Sequence, residues 1–169
     1  MRAYRSPLLE LTMLASLAGA ALAVPAHAQP PVKPGQGLRR FALLIGANDG
    51  GTGRVTLRFA GSDARAFSRV LRDLGGTAPD DVDVLVDPSL AGVRAGFAGL
   101  ESRMAAAQSG GQRVELIVYY SGHSDEEGLL LSGHRLTYEE LRRQIAAMPA
   151  DVQIAILDSC ASGAFTRTK

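Results

Sequence analysis

The sequence has no tryptophan, and Cys160 is its single cysteine. One cysteine excludes an internal disulfide and a Cys-x-x-Cys redox pair. Cys160 and the three histidines show none of the ligand spacing of a Cys/His zinc set. Neither sign of charge is in surplus: 18 Lys and Arg stand against 17 Asp and Glu. No basic patch therefore points to nucleic acid, and no block of like charge marks a solvated tail. Internal repeats are missing. So are Gly-x-Gly-x-x-Gly and a glycine loop followed by Lys, so GANDGG at 46–51 is not a nucleotide-binding fingerprint. A phosphatase loop is excluded as well, because Thr166 stands where His-Cys-x5-Arg needs arginine and no His precedes Cys160.

The apolar run at 11–24 has 14 residues, short of the ~20 that a membrane helix needs. It follows Arg2 and Arg5 and leads to Ala26-His27-Ala28, a small-x-small cleavage site before Gln29. Residues 1–28 thus read as a secretory signal peptide, with an uncleaved anchor as the alternative. The expectation is export, to a bacterial periplasm or beyond, with no membrane contact after cleavage. Loss of Arg2, Arg5 and Glu10 leaves basic and acidic residues equal in number. A lone thiol in an oxidising space is a liability, so Cys160 is either buried and inert or used.

What is present fits one domain with enough chain for a core. QPPVKPGQG at 29–37 reads as a linker to a domain over 38–169. FALLIGAN (41–48) is a buried strand running into a glycine-rich loop. Residues 60–74 carry apolar side chains at helical spacing, with Ser62 or Asp63 as cap and Gly75-Gly76 as stop. VDVLVD (82–87) is a strand, and 90–108 a helix despite three glycines. RVELIVYYSG (113–122) is the longest strand, 128–137 a hairpin, 137–148 a helix behind a Thr137/Glu140 capping box, and VQIAILD (152–158) a last strand. That order implies an α/β fold with a mainly parallel sheet covered by helices on both faces. Its site belongs outside the carboxyl ends of the strands. Asn48, the Ser121–Ser124 cluster and Asp158-Ser159-Cys160 all fall at such ends.

Past the signal only His123 and His134 remain. His134 falls in the hairpin and reads as solvated. His123 and Cys160 each follow a core strand, so neighbouring strands put both on one rim. A free thiol, with pKa ~8.5, is mostly protonated at neutral pH, and a histidine in reach converts it to a nucleophile. Small residues at Gly122, Ser124, Ala161 and Gly163 leave room for a substrate backbone, and nearby N–H groups suit an oxyanion. On spacing alone, a buried cysteine and a satisfied rim histidine remain equally open.

FALLIGAN, LRFAGSDARAFSRVLRDLG, VYYSGHSDEEG and ILDSCASGAF, taken in that order over residues 40–169, resemble the caspase-like cysteine peptidases, bacterial metacaspase-type members in particular. The resemblance implies a caspase–haemoglobinase-like three-layer sandwich and hydrolysis of peptide bonds by a Cys/His dyad. Carried over by position, Cys160 is the nucleophile and His123 the dyad histidine. The oxyanion donors are the backbone N–H groups of Cys160 and of Ser124, where relatives carry glycine. Asp63, Ser121 and Asp158 match substrate-pocket positions, and caspases usually carry glutamine at the place of Asp158. Two carboxylates favour Arg or Lys before the cut bond, whereas Arg58 would read an acidic substrate. Asp63 as a helix cap and Asp158 as a strand-end hydrogen bonder stay open.

No cofactor or metal is assigned. Calcium is used by many relatives, but Asp125-Glu126-Glu127 reads as a solvated loop. Arg167 and Lys169 fall where relatives carry a processing segment. The family fold continues past the nucleophile, so the C-terminal strands are expected to be missing here and a second chain to complete the sheet. The expected partner otherwise is a peptide or protein substrate. A non-catalytic caspase-like interaction module is the rival reading.

Overall fold

The computed structural model describes residues 37–160 and 162–166. The expected signal segment, linker positions 29–36, and Arg167 and Lys169 lie outside the described residues. Strands β1 (Leu38–Ala47), β2 (Val82–Val86), β3 (Arg113–Gly122) and β6 (Val152–Asp158) form one sheet in the order β2-β1-β3-β6. All three pairings are parallel. Helices α1 (Ala60–Asp73), α2 (Leu90–Ser109) and α3 (Tyr138–Ala147) supply the cover, and β4 (Gly128–Leu131) with β5 (His134–Thr137) forms an antiparallel hairpin. The mixed α/β class and parallel sheet are those that the sequence pattern predicts.

Two-residue periodicity in β1 and β3 sorts the core into two layers. Phe41, Leu43, Ile45, Val114, Leu116, Val118 and Tyr120 pack with residues of α2, α3 and the hairpin. Ala42, Leu44, Ile117 and Tyr119 pack with Ala64 and Leu71 of α1. A strand buried on both faces has no polar side to show, which is why FALLIGAN reads as a continuous apolar run. β6 is an edge strand of the described sheet, and Val152, Ile154 and Ile156 are each about two-fifths exposed.

Helix termini correct one expectation. Ser62 and Asp63 do not cap α1. The N-cap position is Phe59, without a side-chain cap, while the Ser62 hydroxyl and the Asp63 N–H both donate to the Phe59 carbonyl. At α3 the cap is the expected one, with Thr137 Oγ1 accepting from the Glu140 N–H at 3.1 Å, and at α2 the structure adds Ser89, whose Oγ accepts from the Gly92 N–H. β1 starts three residues earlier than its apolar run, because Leu38, Arg39 and Arg40 still pair with β3. Their side chains are served locally. Arg39 makes a two-point ion pair with Asp81, at 2.8 and 2.9 Å, and the Asp81 side chain is 1% exposed.

A buried carboxylate without its partner is costly, whereas an apolar pair of similar volume is tolerated. Arg39→Met is therefore expected to lower stability by about 3 kcal/mol, and Arg39→Met with Asp81→Leu to recover most of the loss. Urea unfolding of the two variants checks this. Equal losses in both would show that the pair contributes nothing through its charge.

Candidate active site

β1 and β3 pair in register from Leu38↔Arg113 to Ala47↔Gly122, so both strands end at the same height. β6 pairs with β3 up to Ser121↔Asp158 and ends there too. The residues after these strand ends, Asn48, His123 and Ser159-Cys160, consequently share one rim. Cys160 is exposed, which removes the buried, inert alternative. His134 is exposed at the start of β5.

Register partners in a parallel sheet point the same way. Ser121 and Asp158 lie two residues beyond the pair Tyr119↔Ile156 and so share its face, and Tyr119 packs on the α1 side. Asp63 comes to that side from the first turn of α1. Asp63, Ser121, Asp158 and Cys160 thereby line one open cleft of about 480 Å³, together with Leu57, Arg58, Phe59 and Ser159. Tyr119, beneath it, has its phenol pushed up by burial; a Ser121 hydrogen bond opposes the rise, and the charges of Asp158 and Asp63 add to it. A second, polar depression lies at the opposite end of β3, lined by Gln108, Arg113 and Asp151, and holds none of the candidate residues.

His123 stands off this cleft, against the loop after β1. Its Nε2 lies 2.8 Å from the Val55 carbonyl. A carbonyl can only accept, so Nε2 carries the proton and Nδ1 is the basic nitrogen. The ring lies over Gly50, where a Cβ would come within 2.5 Å of Cδ2 and 2.7 Å of Cγ. Only glycine leaves that space. Among the described residues no hydrogen bond joins His123 to Cys160, so the structure brings the three pocket residues to the cysteine but does not couple the histidine to it directly.

The loop carrying Gly50 and Val55 is anchored by Asn48. Its N–H and Nδ2 donate to the Asp87 carboxylate at 2.6 and 3.0 Å, and its Oδ1 accepts from the Gly61 N–H at 3.3 Å. Asp87 adopts φ +47, a left-handed conformation that Asp tolerates better than most residues, as it turns out of β2. One asparagine thus ties the ends of β1 and β2 to the start of α1, and so sets where Asp63 stands. The acidic loop is exposed at Glu126 and Glu127, as expected of a solvated loop, and it also carries ion pairs. Arg135 Nη1 pairs with Glu127 at 2.6 Å and Arg135 Nε with Asp125 at 3.1 Å, while Asp125 Oδ1 accepts from the N–H groups of Glu127 and Gly128.

Sequence reasoning missed Gly50, Val55 and Tyr119. A backbone carbonyl leaves no mark in a sequence, and a glycine beneath an imidazole looks like any loop glycine. Asn48 did carry a signal, as a polar residue closing an apolar strand.

Residues 39–169 match the family described as Caspase domain, and the chain belongs to it. No curated protein matches the chain. Cysteine-peptidase activity in general, with protein as the general substrate class, follows from that membership.

Two outcomes are expected from this geometry. Gly50→Ala displaces the imidazole and removes the His123–Val55 bond; ¹⁵N NMR of the ring should show a fixed Nε2–H tautomer in the wild type and averaged tautomers in the variant. For Asp125, burial pushes the carboxyl up, but hydrogen bonds from Arg135 and from the Glu127 and Gly128 N–H groups outweigh it and hold it below its ordinary value. A depressed carboxylate stabilises the fold fully above its unfolded pKa, and the contribution disappears as pH falls through the folded one. Asp125→Asn should therefore lower Tm at pH 7 and cost progressively less as the pH falls below about 4. A Tm difference independent of pH would refute this.

Proposed function

We propose that this caspase-domain chain is a cysteine endopeptidase that cuts after Arg or Lys, with Cys160 as nucleophile and His123 as the group that moves protons. The observation that carries the proposal is the cleft beside Cys160, whose wall holds Asp63, Ser121 and Asp158. Two carboxylates against the single guanidinium of Arg58 leave that wall acidic. A charged hydrogen bond to a basic side chain is strong where water is thinned out. Phe59, exposed at the lip of the cleft, offers apolar contact to the stem of such a side chain.

In the proposed reaction, the Cys160 sulfur attacks the carbonyl carbon of the scissile peptide and its proton passes to His123. The Val55 carbonyl keeps the Nε2 proton in place, so the exchange runs through Nδ1. The tetrahedral oxyanion accepts from the N–H groups of Ser124 and Cys160. As the C–N bond breaks, His123 returns the proton to the leaving amine. Water then attacks the thioester, the sulfur leaves, and the free acid and thiol are restored. His123 and Cys160 are not hydrogen-bonded before substrate arrives, which suits a mechanism in which bound peptide brings the two groups into one proton path. The basic start, apolar run and small-x-small site of residues 1–28 support export as the setting for this activity.

Fluorogenic peptides ending in Arg, Lys or Asp test the proposal. Arg- and Lys-ending peptides are expected to be cut and Asp-ending ones left intact. Cys160→Ala should abolish turnover, and Asp158→Asn should lower kcat/KM for Arg-ending peptides by about 10²-fold, as loss of a charge-assisted bond predicts. Cleavage after Asp alone would move specificity to Arg58. A folded chain that cuts nothing and takes up no arginine chloromethylketone at Cys160 would favour a non-catalytic interaction module.

A further inference from the structure

Tyr120 is fully buried, on the face of β3 opposite the acidic cleft, and its hydroxyl has no part in the chemistry above. That hydroxyl lies 2.6 Å from the His123 carbonyl and 2.9 Å from the Leu130 carbonyl. A phenol has one proton to give, so the two carbonyls share it, and its bond to the Leu130 carbonyl is strong enough to oppose the rise of the phenol pKa. The His123 carbonyl accepts another bond, from the Leu130 N–H at 2.9 Å. It is thus met by groups of two different elements.

This carbonyl belongs to the peptide that joins His123 to Ser124. Among the described residues no peptide is cis, so the Ser124 N–H points opposite to the His123 C=O. The ladder around it agrees. Ser124 bridges Leu129 through its neighbours' bonds, Leu130 N–H to His123 O and Asp125 N–H to Gly128 O. In such a pair the N–H of the central residue faces away from the partner strand. The Ser124 N–H is therefore held on the side opposite β4 by groups that grip the other end of its peptide plane.

We propose that Tyr120 is a positioning residue: its hydroxyl locks the His123–Ser124 peptide and thereby fixes the direction of the Ser124 N–H that stabilises the oxyanion. The inference rests on the peptidase reading above and deepens it. Oxyanion donors act by being aimed before charge develops, so a rigid peptide is worth more than a mobile one. The lock has its own packing requirement. Gly122 lies over the phenol, where a Cβ would crowd the hydroxyl and come within 2.7 Å of Cζ and 2.9 Å of the Ala47 carbonyl. Burial pushes the phenol pKa up, so the group is protonated and able to donate around neutral pH. Because the proton sits on a buried ring with two carbonyls around it, removing the oxygen frees one peptide without touching the thiol, the imidazole or the carboxylates of the cleft.

Tyr120→Phe tests this against three readouts, with folding checked by near-UV circular dichroism. The kcat for an Arg-ending peptide should fall about tenfold with KM within twofold, less than the ~10²-fold or more lost when an oxyanion donor is deleted. Inhibition by an arginine aldehyde, which forms a tetrahedral adduct with an oxyanion, should weaken by a similar factor. Alkylation of Cys160 by iodoacetamide passes through no oxyanion, so its rate should not change. A 4-amino group in place of the hydroxyl restores a donor and should restore kcat. It also decides the matter if the phenylalanine variant does not fold: a folded 4-amino variant with wild-type kcat and aldehyde affinity supports the lock, and one with both lost overturns it. Wild-type kcat in Tyr120→Phe, or an equal fall in alkylation, overturns the positioning role while leaving the peptidase reading intact. A wild type that neither cuts peptides nor binds the aldehyde overturns both.

Discussion

Everything at the rim depends on the ladder between β1 and β3. Ten register pairs, from Leu38↔Arg113 to Ala47↔Gly122, make these the two central strands. β2 hangs on one and β6 on the other, so neither outer strand has a position except through this pair. Both strands are buried on both faces, and in a parallel sheet a one-residue slip would turn every core side chain over. The same register that fills the core therefore also brings the end of β1 level with the end of β3. Gly50 and His123, 73 positions apart in the chain, meet only because the ladder is in step.

The rim is chemically two-sided, and the sheet keeps the sides apart. On the α1 side stand Asp63, Ser121 and Asp158, and the Tyr119 phenol beneath them feels the two carboxylate charges and the Ser121 hydrogen bond. On the other side Tyr120 reaches the backbone around His123 from within the apolar core. Adjacent residues of one strand thus serve opposite purposes, one tyrosine beneath a charged wall and the next against a neutral peptide. The pleat makes this separation without any further device. It also keeps the carboxylates from lying beside the buried carbonyls of His123 and Leu130, where negative charge would be poorly tolerated.

Support for the loops comes mainly from backbone groups gripped by single side chains. Asn48 holds the ends of two strands and a helix start, Asp125 gathers two N–H groups and an arginine, and Tyr120 meets two carbonyls. Each of these satisfies groups that would otherwise lie unpaired near the core, which is expensive. The positions of His123 and Asp63 follow from these grips, since neither side chain is held by an ion pair among the described residues. An arrangement of this kind leaves reactive side chains accessible while the backbone beneath them is rigid.

The sequence alone determined the layers and the rim. Continuous apolar runs in β1 and β3 read as strands buried in a parallel sheet, that of β6 as a further strand, which the structure places at an exposed edge, and the residues ending these runs emerge at the carboxyl edge. Cys160 and His123 were legible for that reason, through their place after a strand. Ser121, Asp158 and Asp63 were assigned to one pocket by the family resemblance, with a cap role for Asp63 left open, and the helix start carries no side-chain cap. What tertiary structure decided were the relations that depend on distance across the chain. The exposure of Cys160, the carbonyl of Val55 that sets the His123 tautomer, the fit of the imidazole over Gly50 and the reach of Tyr120 to the His123 peptide all join positions with no common pattern. Periodicity records which face a side chain takes, because burial acts on each residue singly. It does not record which backbone group that side chain will meet, because that is set by the packing of elements far apart in sequence.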